Sequence, residues 1–234
     1  MSVGIAITSY NRWFFLEKCL DSLFNLVGYN FPIVLVEDSC NQEIKSNIIK
    51  KYSNKLHFIF NEENQGQAKS IDIAYNWLND NHKIKYILHI EDDYLFDSNP
   101  KFIDQAIDIL ESRKDVKNVW LRHHEDYKLS HGPTAINQLF EPTILTTYNQ
   151  TQYLELTQNH YGNWCGFSWQ TSIKRMSDYL AEFPNGYDSI AKQNGVVGVH
   201  AEHKCSEHAN KFGMRAAQLM NGCCRNKGWN ATTY

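Results

Sequence analysis

Short apolar runs alternate with amphipathic segments along roughly the first hundred residues, and each run ends on polar side chains. Residues 3–8 are apolar and give way to Ser9, Tyr10, Asn11 and Arg12, the pattern of a buried strand that ends in a loop. Between 13 and 26, Phe15, Cys19, Leu20, Leu23 and Leu26 recur at helical spacing with Glu17, Lys18 and Asp21 between them. A second apolar run over 33–36 leads straight into Glu37, Asp38 and Ser39, and 44–52 then reads as a short helix. A strand over 56–60, a helix over 67–79 with Ile71, Ala74 and Leu78 inward, and a strand over 86–90 continue the series. Connections this short leave only layered packing, which predicts an α/β sheet with helices on its faces. With 234 residues, 42% of them hydrophobic, the chain can bury one substantial core, so a single domain over 1–234 is expected.

Ligands of an open α/β sheet bind beyond the carboxyl ends of its strands, where the loops converge. That rule puts residues 8–12, Glu37 with Asp38, Asn64-Gln65-Gly66 and Glu91-Asp92-Asp93 on one rim. Three consecutive carboxylates repel one another unless water or a cation neutralises them, and hard oxygen ligands suit Mn²⁺ or Mg²⁺. A solvated acidic loop is the bland alternative. The place of the triplet after a buried strand favours a cation that holds a diphosphate.

Taken in order, Ile7-Thr8-Ser9-Tyr10-Asn11-Arg12, Val36-Glu37-Asp38-Ser39, Asn64-Gln65-Gly66 with Ala74 and Asn76, and Ile90-Glu91-Asp92-Asp93 resemble the nucleotide-binding half of glycosyltransferase family 2. The triplet ahead of Phe96 and Phe102 is also similar to the Glu-Asp-Asp motif of the N-acetylglucosaminyltransferases that build N-glycans. The resemblance implies a GT-A fold, with 1–98 binding the nucleotide sugar and 99–234 the acceptor. It also implies an inverting, metal-dependent transferase that uses Mn²⁺ or Mg²⁺, a nucleotide-diphosphate sugar (a UDP-sugar, from Asp38) and a glycan or other hydroxyl acceptor. By matched position, Thr8 and Tyr10 line the base, and Asp38 pairs with the base edge, Glu37 being the alternative if the register is off by one. Glu91 faces the ribose, Asp92 the donor sugar, and Asp93 coordinates the cation. Shortly after the loop glycine Gly66, family members often carry Arg and Asn where this chain has Ile71 and Asp72. Lys69 is then the candidate for the missing positive charge. Arg12 stays open between a structural ion pair and a phosphate contact.

Further on, 100–113 reads as a helix on Phe102, Ile103, Ala106, Ile107 and Leu110, and 116–121 as a strand. His123, His124 and His131 have no partner at zinc-finger spacing and read as structural or solvent-facing. Trp164, Phe167 and Trp169 crowd around Gly166, and such rings are either flat platforms for a pyranose or core residues. Their place before an expected helix over 173–180 resembles the family's acceptor-side strand, so Trp164, Gly166 and Trp169 are acceptor-side candidates. An inverting transfer needs one general base. In the family that base is an acid at the start of a helix that ends on a glycine, which 201–212 with Gly213 matches. This nominates Glu202, with Glu207 second and Asp188 third; the other reading of Glu202 is an acid that only offsets the helix dipole. Where the family often places a metal-reaching histidine stands Asn226, whose amide oxygen can bind a hard cation, and Arg225 and Lys227 are candidates to meet the diphosphate directly.

The remaining composition sorts the alternatives. With 23 basic and 26 acidic residues and a formal charge of -3, the chain lacks the positive field that nucleic acid requires. No apolar stretch approaches the roughly 20 residues of a membrane span, and no secretion signal opens the chain, so a cytoplasmic location is expected. Cys19, Cys40, Cys165, Cys205, Cys223 and Cys224 form no CxxC pair and read as reduced thiols, and the Asn230-Ala231-Thr232 sequon carries no weight in that setting. A sugar nucleotidyltransferase has a glycine-rich basic loop after its first strand, which residues 8–12 are not. A catalytically inactive transferase-like domain that binds carbohydrate or a partner is the other competitor, kept open by Ile71, Asp72 and Asn226. Metal-dependent donor turnover separates the three.

Overall fold

The computed structural model of the chain describes residues 2–28, 30–126, 140–156 and 166–228. His131, Trp164, Cys165 and the sequon at Asn230 lie outside the described residues. The first half follows the expected alternation: β1 (Val3–Ser9), α1 (Trp13–Val27), β2 (Ile33–Glu37), α2 (Gln42–Tyr52), β3 (His57–Phe60), α3 (Gln67–His82) and β4 (Tyr86–Glu91). Local chemistry sets the limits of these elements. α2 starts where the Asn41 side chain accepts from the backbone N–H groups of Glu43 (2.9 Å) and Ile44 (3.4 Å), and it carries Glu43 in its first turn and Lys50 and Lys51 in its last. α1 stops at Gly28, whose φ of +70° suits a residue without Cβ.

Next come β5 (Tyr94–Phe96), α4 (Phe102–Ser112), β6 (Val116–Trp120), β7 (Phe140–Thr146), β8 (Gln152–Leu156), β9 (Ser172–Arg175), α5 (Met176–Glu182), α6 (Gly186–Gln193), α7 (Val199–Asn210), β10 (Arg215–Leu219) and β11 (Cys224–Asn226). Nine strands form one sheet in the order β3-β2-β1-β4-β9-β6-β10-β8-β7. β3, β2, β1 and β4 run parallel, β9 is antiparallel between β4 and β6, and β10 joins β6 in parallel before the antiparallel edge of β8 and β7. Successive side chains of the parallel strands feed opposite faces. Ile5, Ile7, Ile33 and Leu35 belong to one buried cluster, with Leu16, Leu20 and Phe102, while Ala6, Val34 and Val36 belong to another, with Ile71, Tyr75 and Tyr187.

One expected helix is corrected. Residues 173–175 are strand, and helix begins only at Met176. Ile173, Lys174 and Arg175 extend because β4 and β6 on either side supply backbone partners, Leu88 and Val119 opposite Ile173, and nothing local announces those. The expected helix over 201–212 is α7, which starts two residues earlier; three tight turns over 211–213 then bring the chain to Gly213 at φ +63°. Among the described residues no helix is long and apolar enough to cross a membrane, and Cys19, Cys40, Cys205, Cys223 and Cys224 are free thiols.

Candidate active site

The chain lays β2 and β3 on one side of β1 and then crosses to β4 on the other, so the crevice where strand order reverses lies between β1 and β4. Thr8 pairs with Glu91 across it. Past the end of β1 the backbone turns through Asn11 at φ +56°, a conformation asparagine tolerates, and Arg12 swings back across the crevice. Its guanidinium forks onto Asp92, with Nη2 against Oδ1 and Nε 3.3 Å from Oδ2, and Nη1 lies 3.2 Å from Asp93 Oδ2. Arg12 thus forms an ion pair with the acidic triplet, the first of its two readings. Asp92 therefore faces Arg12 and the Tyr10 backbone N–H (3.4 Å), buried rather than open to a sugar.

Glu37 and Asp38 divide the work at the end of β2. Asp38 is buried and spends both carboxylate oxygens on the loop after β3: Oδ1 accepts from Asn61 Nδ2 (2.6 Å) and the Gln65 N–H (2.8 Å), Oδ2 from the Gly66 N–H (2.8 Å). It holds Gly66, at φ +81°, where α3 begins. Glu37 Oε1 accepts from the N–H groups of Asn11 (3.1 Å) and Ser39 (3.0 Å), but Oε2 is buried with no hydrogen-bond partner. A buried acceptor left unpaired costs about 1–3 kcal/mol, more when charged. Asp38, which the resemblance assigns to the base edge, thus gives three acceptor positions to the protein, while Glu37 beside it keeps one buried oxygen with no partner. Tyr10 is half exposed and Thr8 buried, both on this rim, and Lys69 stands in the first turn of α3 without an ion pair among the described residues.

The acidic triplet closes the crevice. β11 pairs with β5 and returns the chain to Asp93, whose carbonyl accepts from the Lys227 N–H (2.8 Å) and whose Oδ1 lies 3.4 Å from Asn226 Nδ2. Gly228 leaves no room for a side chain, since a Cβ there would stand 2.1 Å from Asp93 Oδ2. Burial, reinforced by Asp93, Glu202 and Asp92, pushes the Glu91 carboxyl well above the usual range, although Arg12 pulls it back and Gln67 Nε2 donates to it at 3.0 Å. Burial likewise pushes Asp92 up to about 7 against the pull of Arg12. The crevice thus gathers more acids than Arg12 offsets, so their charged forms are disfavoured, and no cluster of three protein ligands stands ready for a metal among the described residues. Asp93 fits Mn²⁺ or Mg²⁺ in the usual manner for such ions, with one protein carboxylate and the other positions left to phosphate and water, while Asn226 turns its amide N–H rather than its oxygen toward Asp93. Sequence reasoning missed Gln67 and Gly228, whose roles exist only once β4, α3 and β11 are side by side.

Glu202 arrives from the opposite direction, on the first turn of α7. Its Oε1 accepts from Ser168 Oγ (2.8 Å) and the Trp169 N–H (2.7 Å), which leaves Oε2 without a hydrogen bond among the described residues. It is close enough to Glu91 to help raise that group's pKa. Glu207 sits five residues on, round the helix, where it pairs with Lys204 (2.8 Å) and His203 (3.2 Å); Asp188 pairs with Lys192 (2.7 Å). Neither joins Glu202. Trp169 is 1% exposed and packs in the core near Tyr187, so its ring offers no face to a sugar; Gly166, at φ +81°, is packed against Ala216 and Leu156. Asp72, one of the two departures after Gly66, accepts from Tyr179 Oη (2.8 Å) and from the N–H groups of Tyr187 and Asp188 (2.9 Å each). It caps α6, and Ile71 is core. Both departures are structural substitutions outside the crevice contacts.

The family model for glycosyl transferase family 2 matches residues 4–171, and the chain belongs to that family. An uncharacterized glycosyltransferase of Haemophilus influenzae is 26% identical over 146 residues, 62% of this chain and 46% of the relative. One from Methanocaldococcus jannaschii is 27% identical over 118 residues, 49% of this chain and 39% of the relative. The chain thus spans under half the length of these curated relatives. Among solved structures, the mannosyltransferase PcManGT of Pyrobaculum calidifontis in complex with GDP-Man and Mn²⁺ superposes with a TM-score of 0.62 at 14% identity, covering 98% of this chain and 59% of that one. Residues 1–349 of S. aureus TarS in complex with UDP-GlcNAc give 0.56 at 17% identity, covering 100% and 62%. The architecture is the GT-A fold.

Proposed function

We propose that the chain transfers a sugar from a nucleoside-diphosphate donor to a hydroxyl acceptor, with inversion at the anomeric carbon. The observation that carries this reading is the convergence around Glu91 of Asp93, just past the end of β4, and Glu202 from α7, which keeps one carboxylate oxygen without a hydrogen bond among the described residues. Glu37 Oε2 accepts an N–H of the base edge, which supplies the partner that buried oxygen lacks. Asp93 would hold a divalent cation, and Lys227 and Lys69 are cations on the rim available to meet the diphosphate. When bound, that cation offsets the charge that develops on the leaving diphosphate. Glu202 Oε2 takes the acceptor hydroxyl proton as that oxygen bonds to the anomeric carbon, and the electron pair of the broken glycosyl–phosphate bond leaves with the diphosphate. Ser168 and the Trp169 N–H hold the other oxygen of Glu202, so the base is aimed before the acceptor arrives.

A panel of UDP- and GDP-sugars with Mn²⁺ or with chelator, scored by nucleoside diphosphate release, tests the proposal. Release that requires the cation for at least one donor is expected; no release from any donor, beside tight carbohydrate binding, favours the inactive-domain reading. In the same assay Glu37→Gln raises the donor KM about tenfold at nearly unchanged kcat, the loss of one hydrogen bond to a charged group. An unchanged KM removes Glu37 from the base site.

A further inference from the structure

Lys174 is a buried lysine whose placement the fold does not explain. It sits on β9 at 5% exposure, and among the described residues no carboxylate lies within ion-pair distance of its ammonium group. Nζ donates to the Ser168 carbonyl at 3.0 Å and lies 5.5 Å from the Phe167 ring centroid. Such a cation costs stability: burial pulls its pKa down to about 8, with Glu202, Glu91 and Cys205 pulling it back up. The other side chains around it add no counter-ion. His89 on β4 is buried and held neutral by burial and by Lys174 itself, and Asn118 on β6 turns its amide to the same Ser168 carbonyl at 3.4 Å.

The Ser168 carbonyl and the Trp169 N–H are the two ends of one peptide group. Lys174 Nζ grips the oxygen end, and the nitrogen end donates to Glu202 Oε1 at 2.7 Å. Because the peptide unit is planar, fixing its carbonyl fixes the direction of its N–H. A cation on the carbonyl oxygen also polarises the amide and strengthens it as a donor to a carboxylate. We infer that Lys174 is a positioning residue for transfer, a buried cation that acts through the Ser168–Trp169 peptide to hold Glu202 in place, kept at a cost to the stability of the fold. The inference rests on Glu202 being the base. Glu91 acts on Lys174 as well as Glu202 does, so the Lys174 charge also offsets part of the acidity of the crevice.

Lys174→Met separates this role from a structural one. Removing an unpaired buried charge in favour of an apolar side chain of similar length leaves Tm unchanged or raised. Donor turnover, read as nucleoside diphosphate release from the sugar-nucleotide panel, falls about tenfold to hundredfold in kcat while donor KM stays within about twofold, as misplacement of one catalytic group requires. A lowered Tm with unchanged kcat shows a packing residue and overturns the inference. Lys174→Gln is the second variant should Lys174→Met fail to fold; it is expected to lose at least about threefold in kcat, and wild-type turnover overturns the inference equally. Glu202→Gln run in parallel distinguishes the two levels. An inactive Glu202→Gln beside a fully active Lys174→Met rejects the positioning role alone, whereas a fully active Glu202→Gln rejects the base and the positioning role together.

Discussion

Glu202→Gln lowers turnover by about 10²–10⁴-fold, the usual contribution of a general base, and leaves nucleoside diphosphate affinity within a factor of about two. The amide keeps the shape of the side chain and its carbonyl can still accept from Ser168 Oγ and the Trp169 N–H, so Tm is expected to hold. It has no capacity to take the acceptor proton. The split matters because Glu202 stands on α7 rather than on the β1–β4 rim, so the proposed base and the proposed donor site are carried by different elements. Calorimetry with UDP or GDP in the presence of Mn²⁺ beside steady-state turnover reads both halves. Lost nucleotide affinity at unchanged kcat removes Glu202 from the base role.

Asp93→Ala is expected to reduce transfer at least about 10³-fold, about 4 kcal/mol of barrier, because the leaving diphosphate would lose the charge compensation of the cation proposed at Asp93. The fold survives the change. Asp93 lies at a strand end, and its backbone carbonyl, the acceptor for the Lys227 N–H, stays in place. Arg12 keeps its fork on Asp92. A circular dichroism spectrum matching wild type beside lost release is the expected pair of results, and full turnover in the variant removes Asp93 from the cation site.

The parallel half of the sheet and its rim were legible because each strand is a short, largely apolar run followed at once by polar residues, so the sequence pattern marks where it ends. β9 was not legible, because Ile173 to Arg175 extend only between strands 85 and 54 positions away in sequence, Leu88 and Val119 being the partners of Ile173. Resemblance placed acids on the crevice but could not say which of their oxygens the protein itself consumes. Asp38 and Asp92 match functional positions and prove to be held by Gly66 and Arg12, while Glu37 keeps an unpaired oxygen. Trp169 shows the converse limit, since an aromatic beside a glycine reads the same in sequence whether it lines a groove or, as here, fills the core. Lys174 gives no sequence signal at all; its meaning depends on one peptide plane between two elements that meet only in the folded chain.

The most direct test of a cation shared between Asp93 and a donor diphosphate is electron paramagnetic resonance of Mn²⁺ titrated into the protein with and without UDP or GDP. With Asp93 as the one protein carboxylate proposed to hold it, Mn²⁺ alone is expected to bind weakly, nucleoside diphosphate to tighten it at least about tenfold by adding phosphate oxygens, and Asp93→Ala to abolish that gain. Mn²⁺ affinity that is indifferent to both nucleotides, or equal in wild type and Asp93→Ala, contradicts the account.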